Sequence, residues 1–149
     1  MKATSLRKLP RVDLSLTSLG LGCSQMGGLY RATSAQEAAD VFAGAWSAGV
    51  RYFDTSPFYG YTRSEHRLGS LLAECPRDEF VLSTKVGRLM RPDSSVAPGD
   101  DNWAFPYAFR PHYDYSYGGV MRSFEDSLQR MGLARIDILY VHDIGPFTH

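Results

Sequence analysis

Long apolar runs are missing from this 149-residue sequence. No stretch approaches the roughly 20 residues that a spanning helix needs. Met1 to Pro10 also lacks the apolar core of a secretory signal, so the expectation is a cytoplasmic protein with no membrane partner. An excess of one charge is missing too. Sixteen Lys and Arg balance sixteen Asp and Glu, which leaves nucleic acid or an anionic surface nothing to hold and favours small, neutral partners. Cysteine is scarce: Cys23 and Cys75 are the two present. They lack metal-ligand spacing and, with no secretory signal, read as reduced thiols, so no metal site is expected. Lysine is scarce as well. Lys2 and Lys8 sit in the N-terminal arm, whereas Lys85 interrupts the apolar run Phe80 to Val86, where an unpaired ammonium costs free energy. Lys85 needs a partner.

Apolar side chains make up 44% of the sequence, enough for one domain over residues 1–149 with a sizeable core. Ser18 to Cys23 is a short apolar run ending in turn residues and reads as a first strand. Ser34 and Glu37 have the spacing of a capping box and open a helix whose stripe is Ala38, Val41, Phe42, Ala45 and Trp46 and whose stop is Gly49. Val50 to Thr55 is a second strand. Thr62 and Glu65 repeat the capping-box spacing before a helix that buries Leu68, Leu71 and Leu72 and ends before Pro76. Phe80 to Val86 is a third strand, Tyr117 to Gly132 a third helix, and Ile136 to His142 a fourth strand. Strict alternation of this kind predicts an α/β fold with four parallel strands and three intervening helices, as an open doubly wound sheet or as part of a barrel. Residues 88–116 have no clear period and are rich in aromatics, so they read as a long loop that either covers a ligand or packs as ordinary surface structure.

Side chains alternate along a strand, so Asp54, Lys85 and His142 each end one face of their strand at its carboxyl end. In barrels that end carries the active site. Tyr59 follows just after the second strand. A phenol titrates near pH 10 and is a poor proton donor at neutrality unless a neighbouring cation favours phenolate. Lys85 is the expected cation, Asp54 the carboxylate that keeps it charged, and His142 a group that orients a carbonyl oxygen or shares the proton. Read singly, Asp54 and Lys85 are a buried ion pair and His142 a core histidine; three such endings on consecutive strands point to chemistry.

Phe53-Asp54-Thr55-Ser56-Pro57-Phe58-Tyr59-Gly60, with Ser64-Glu65 after it, resembles the signature of the aldo-keto reductases around their catalytic aspartate and tyrosine. Ser83-Thr84-Lys85-Val86-Gly87 is similar to the family's lysine strand, and Asp137 to Asp143 to its histidine strand. The resemblance implies the first half of a (β/α)8 TIM barrel, the other half being absent from this sequence. It also implies an NAD(P)-dependent oxidoreductase in which Tyr59 is general acid/base, Asp54 and Lys85 tune it, and His142 orients the substrate. The segment Tyr113 to Ser123 resembles the branch of D-threo-aldose and pyridoxal dehydrogenases, which implies a sugar or small aldehyde as substrate and NADP or NAD as cofactor. Gly118 departs from that pattern and is expected to weaken the start of the third helix. Gly20-Leu21-Gly22 lacks the third glycine of the dinucleotide fingerprint, which disfavours a Rossmann site. Under the resemblance Gly22, Cys23, Ser24 and Asp54 border the nicotinamide; a tight turn is the alternative for the first three. About 250 residues close a full barrel. Half a barrel exposes two sheet edges, so self-association that completes the ring and weak or absent turnover are expected of this chain alone. The competing reading is a non-catalytic scaffold that retains the residues.

Overall fold

The computed structural model describes residues 4–145, so Lys2 lies outside the described residues. An antiparallel hairpin of β1 (Leu6–Lys8) and β2 (Ser15–Thr17) comes first; its short strands carry no pattern that the sequence reading used. Four parallel strands then form one sheet in chain order: β3 (Leu21–Gly22), β4 (Tyr52–Asp54), β5 (Val81–Val86) and, after an excursion, β8 (Ile138–Val141). Helix α1 (Ala35–Ser47) joins β3 to β4, α2 (Arg63–Leu72) joins β4 to β5, and α3 (Tyr117–Met131) precedes β8. Strands in sequential order, each crossover carrying a helix, are the topology of half a TIM barrel.

The register is set by which side chains the helices can cover. Phe53 pairs with Leu82, and both are 0% exposed against Ala38, Phe42, Leu68, Leu72 and Met131. Phe42, Trp46, Phe53 and Phe80 add ring contacts with centroids 5.2–6.5 Å apart, the separation at which aromatic pairs attract. Tyr52, Asp54, Ser83, Lys85 and Tyr140 alternate with these residues and point to the other face. Among the described residues no helix is long and apolar enough to cross a membrane.

Two local expectations meet a different outcome. The capping box at Ser34 forms: Glu37 N–H donates to Ser34 Oγ at 3.0 Å and Ser34 N–H to Glu37 Oε2 at 2.7 Å. The one at Thr62 does not, because Thr62 lacks the extended cap backbone and Glu65 is claimed by tertiary partners. Thr62 is left-handed, with φ 82° and no side-chain cap bond. Glu65 turns inward instead, accepting from Thr84 Oγ1 at 2.7 Å and from Arg130 Nε at 2.6 Å while fully buried. Residues 88–116 are not a structureless loop. They contain β6 (Arg88–Pro92) and β7 (Phe109–Tyr113), paired antiparallel, and this ribbon hid from a period-2 reading because its strands carry Arg, Pro and His among the apolar residues. Ser116 caps α3 just before Gly118, its Oγ accepting from Gly119 N–H at 3.1 Å.

Candidate active site

Each strand delivers its ionisable residue to the carboxyl edge of the sheet. Asp54 closes β4 and Lys85 stands near the end of β5, one strand away. Lys85 Nζ donates to Asp54 Oδ2 at 2.7 Å and to the Thr55 carbonyl at 3.0 Å. Asp54 Oδ1 accepts from Ser83 Oγ at 2.6 Å. Both carboxylate oxygens are thus engaged, and the lysine that looked misplaced in an apolar strand is paired. Its side chain is 14% exposed and that of Asp54 25%, so the pair is screened from bulk water yet open on one side.

Tyr59 is held by a close approach of two loops. Gly27, after β3, lies against the backbone of Tyr59 and Gly60; a Cβ on Gly27 would sit 2.6 Å from the Tyr59 carbonyl carbon. Only glycine permits that contact. The phenol ring then lies beneath Lys85, whose Nζ is 4.8 Å from the ring centroid, and edge-on to His142, with centroids 6.1 Å apart and planes at 90°. The four residues singled out in the sequence therefore meet. Tyr59, Lys85 and His142 line a cleft of about 470 Å3, and Asp54 holds Lys85 from behind.

His142 follows β8 and is 7% exposed. Its Nδ1 is 3.1 Å from Ser56 Oγ and its Nε2 is 3.5 Å from Asp143 Oδ2. Burial, then the nearby Arg88 guanidinium, pushes its pKa down to about 4, against the pull of Asp143. At neutral pH it is an uncharged imidazole.

The nicotinamide-side expectations divide. Ser24 lines the cleft, and a Cβ on Gly22 would meet nothing within 4 Å, so this corner is open. The Cys23 side chain is 1% exposed in the core. Burial, then Asp54, pushes its thiol up to about 12, and its backbone is already used: the N–H by the Asp54 carbonyl at 2.8 Å, the carbonyl by Ser64 Oγ at 2.7 Å.

The far wall comes partly from the aromatic segment 88–116 and partly from residues that no sequence signal singled out. Tyr30, Asp101, Asn102, Trp103 and Asp143 also line the cleft. Two loops are stitched together there, Tyr30 N–H to the Asn102 carbonyl at 2.8 Å and Ala104 N–H to the Gly28 carbonyl at 2.9 Å. Tyr30, Asp101, Asn102 and Asp143 all have left-handed backbones, with φ between 45° and 66°. Each such conformation costs on the order of 1–3 kcal/mol for a residue with a side chain, and such positions cluster at functional sites. The aromatic content of 88–116 was the available signal for Trp103. Nothing in the sequence pattern announces the backbone angles.

With this geometry in place, the comparisons with known proteins decide the lineage. Residues 18–149 match the aldo/keto reductase family. The chain belongs to the aldo/keto reductase family. It is 48% identical to pyridoxal 4-dehydrogenase of Microbacterium luteolum over all of its own length and 46% of that relative. It is 46% identical to D-threo-aldose 1-dehydrogenase of a Pseudomonas species, over 87% of this chain and 41% of the other. A solved structure described as an aldo-keto reductase from Pseudomonas aeruginosa superposes with a TM-score of 0.72 at 32% identity, covering 97% of this chain and 48% of that one. The chain thus spans somewhat less than half the length of these relatives, and its four parallel strands have the order of half a TIM barrel.

Proposed function

We infer that this reductase half carries the proton-transfer machinery of an enzyme that moves a hydride between NAD or NADP and the carbonyl or hydroxyl carbon of a sugar or small aldehyde. One observation carries the reading: a lysine paired with an aspartate at 2.7 Å lies over the ring of a cleft-lining tyrosine. An ammonium in that place stabilises negative charge as it develops on the phenol oxygen. Tyr59 then gives a proton to the carbonyl oxygen in reduction and takes it back in oxidation. Asp54 pairs with Lys85 and fixes it in place. His142, neutral and hydrogen-bond capable, orients the reacting oxygen.

The cleft fits a nicotinamide. Its volume lies within the roughly 300–1,000 Å3 of small-molecule sites, and the open corner at Gly22 and Ser24 adjoins Asp54. Gly22, Ser24, Asp54 and the Cys23 backbone would border the ring, and the nicotinamide, when bound, supplies or accepts the hydride. The substrate class rests on the likeness to an aldose and a pyridoxal dehydrogenase. Turnover of NAD or NADP with aldoses and with pyridoxal, in protein that carries the complete barrel, tests the reading: activity that depends on Tyr59 is expected, and a barrel-complete protein inactive on every such substrate with both cofactors overturns it.

For the 149-residue chain alone the reading includes weak or absent turnover and self-association. Leu139, Tyr140, Val141 and Ile144 are 42–64% exposed at and just beyond β8, beside an apolar groove of about 740 Å3 lined by Leu14, Leu16 and Ile138. Pairing of β8 with β3 of a second copy would bury both sheet edges. Light scattering decides this part; a folded monomer at high micromolar concentration sinks it.

A further inference from the structure

His142 is gripped from two sides by residues outside the expected catalytic set. On one side is Ser56, fully buried, whose Oγ already accepts the Phe58 N–H at 3.1 Å. Its hydroxyl proton needs an acceptor, and His142 Nδ1 at 3.1 Å is in place. Were Nδ1 protonated, it would have to donate to Ser56 Oγ. The serine proton would then be left with no acceptor in a buried position. Burying an unmet donor is costly, so the serine donates, Nδ1 accepts, and the ring proton sits on Nε2.

On the other side, Arg88 is 5% exposed, at the start of the β6–β7 ribbon. It donates to Asp143 Oδ2 at 2.6 Å, the same oxygen that lies 3.5 Å from His142 Nε2. Its guanidinium carbon is 4.5 Å from the centroid of the Phe58 ring, and Phe58 in turn packs against His142 at 5.9 Å. A carboxylate this close would draw a second proton onto the ring. Arg88 neutralises that pull and adds its own repulsion of an imidazolium. Of the remaining charges around the ring, Lys85 also opposes a charged imidazole and Asp54 favours it, while Tyr59 presents its ring.

We propose that Ser56 and Arg88 are the positioning residues of His142, holding it as a neutral imidazole whose Nε2–H donates toward the substrate oxygen in the cleft. The value of such a donor rests on the hydride-transfer reading above; the state of the ring does not. The geometry also ties the ribbon to the chemistry, because Arg88 reaches the site only through it.

Long-range nitrogen–proton spectra of the 15N-labelled 149-residue chain test this directly, the His142 signals being assigned among the four histidines by their loss in His142→Gln. The wild type should show Nε2 protonated and Nδ1 bare from pH 8 to about 5. Ser56→Ala should admit the Nδ1–H form. Arg88→Gln should raise the charging midpoint by about one pH unit, and Arg88→Lys should return it toward the wild type, which a merely structural arginine would not do. A wild-type ring protonated on Nδ1, or a folded Arg88→Gln chain that titrates like the wild type, overturns the proposal. No cofactor or turnover enters this measurement. An inactive barrel-complete protein with the expected spectra would therefore sink the enzymatic reading alone.

Discussion

On the helix side of the four-stranded sheet, Phe53, Leu82, Thr84 and Val86 are at most 3% exposed. On the other side the same strands present Tyr52, Asp54, Ser83, Lys85 and Tyr140, joined by hydrogen bonds. Ser83 Oγ lies 2.6 Å from Asp54 Oδ1 and 3.1 Å from the Tyr52 hydroxyl, which in turn is 3.3 Å from that of Tyr140. Polar groups occur on both faces but are handled differently. Thr84, Glu65 and Arg130 on the helix side form a closed set, with bonds of 2.7 and 2.6 Å and no opening to the cleft. On the far face Asp54 and Lys85 also satisfy one another, yet their set opens onto Tyr59 and the cleft. The alternation of a strand thus separates two environments by one residue: one face packs into the core, and its neighbour holds charges beside an open cleft.

Breaking the open face should cost chemistry and leave the fold. Tyr59→Phe in barrel-complete protein is expected to reduce turnover by roughly 100-fold or more, the scale of a lost general acid, with an unchanged melting temperature and cofactor affinity. Retention of more than a tenth of the wild-type rate would remove Tyr59 from its role. Lys85→Met should approach that loss and also flatten the pH–rate profile; a profile identical to the wild type would disconnect the ion pair from the phenol.

Breaking the closed face should do the reverse. Phe53→Ala removes a fully buried ring from the stack with Phe42, Trp46 and Phe80 and is expected to cost about 3–5 kcal/mol, read as a lower urea midpoint at constant slope. Should the midpoint stay put, this face would not be the one that holds the fold.

His142 lies between the two regimes, and acid should reveal it. Its pKa is near 4 when folded and 6.5 when unrestrained, so between those values the unfolded chain binds a proton that the folded chain refuses. Stability therefore rises with pH through that window and is lost as pH falls, by at most about 3 kcal/mol. His142→Gln should abolish this part of the slope in urea titrations run from pH 7 to 4; an unaltered slope would place the sensitivity elsewhere. The smallest effect belongs to the helix layer. Ser34→Ala should cost about 1 kcal/mol, whereas Thr62→Ala, whose side chain makes no cap bond, should cost less, and equal losses in thermal melts would show that the two starts are alike after all.

Much of this was legible beforehand. A lone lysine in an apolar strand forced the question of its partner, and alternation placed Asp54, Lys85 and His142 on one face of their strands. The helices followed from their stripes and the Ser34 cap, because those signals are local. The site wall was legible only as an aromatic segment, without its ribbon or its backbone angles. The β6–β7 ribbon buries too little apolar surface for a period to show, and the left-handed Tyr30, Asp101 and Asn102 lie where two loops far apart in sequence are bonded to one another.

Residue type and spacing thus determined by themselves the four parallel strands, the three helices between them and which four side chains gather at the carboxyl edge of the sheet, but neither antiparallel ribbon. The tertiary structure alone decided which partners the polar groups take. Glu65 left its helix cap for Thr84 and Arg130, the Cys23 thiol went to the core, and Ser56 and Arg88 came to His142. The reason is physical. A polar atom that loses water must find a partner, and in a folded chain the nearest one is fixed by packing across the sequence and not by neighbours along it.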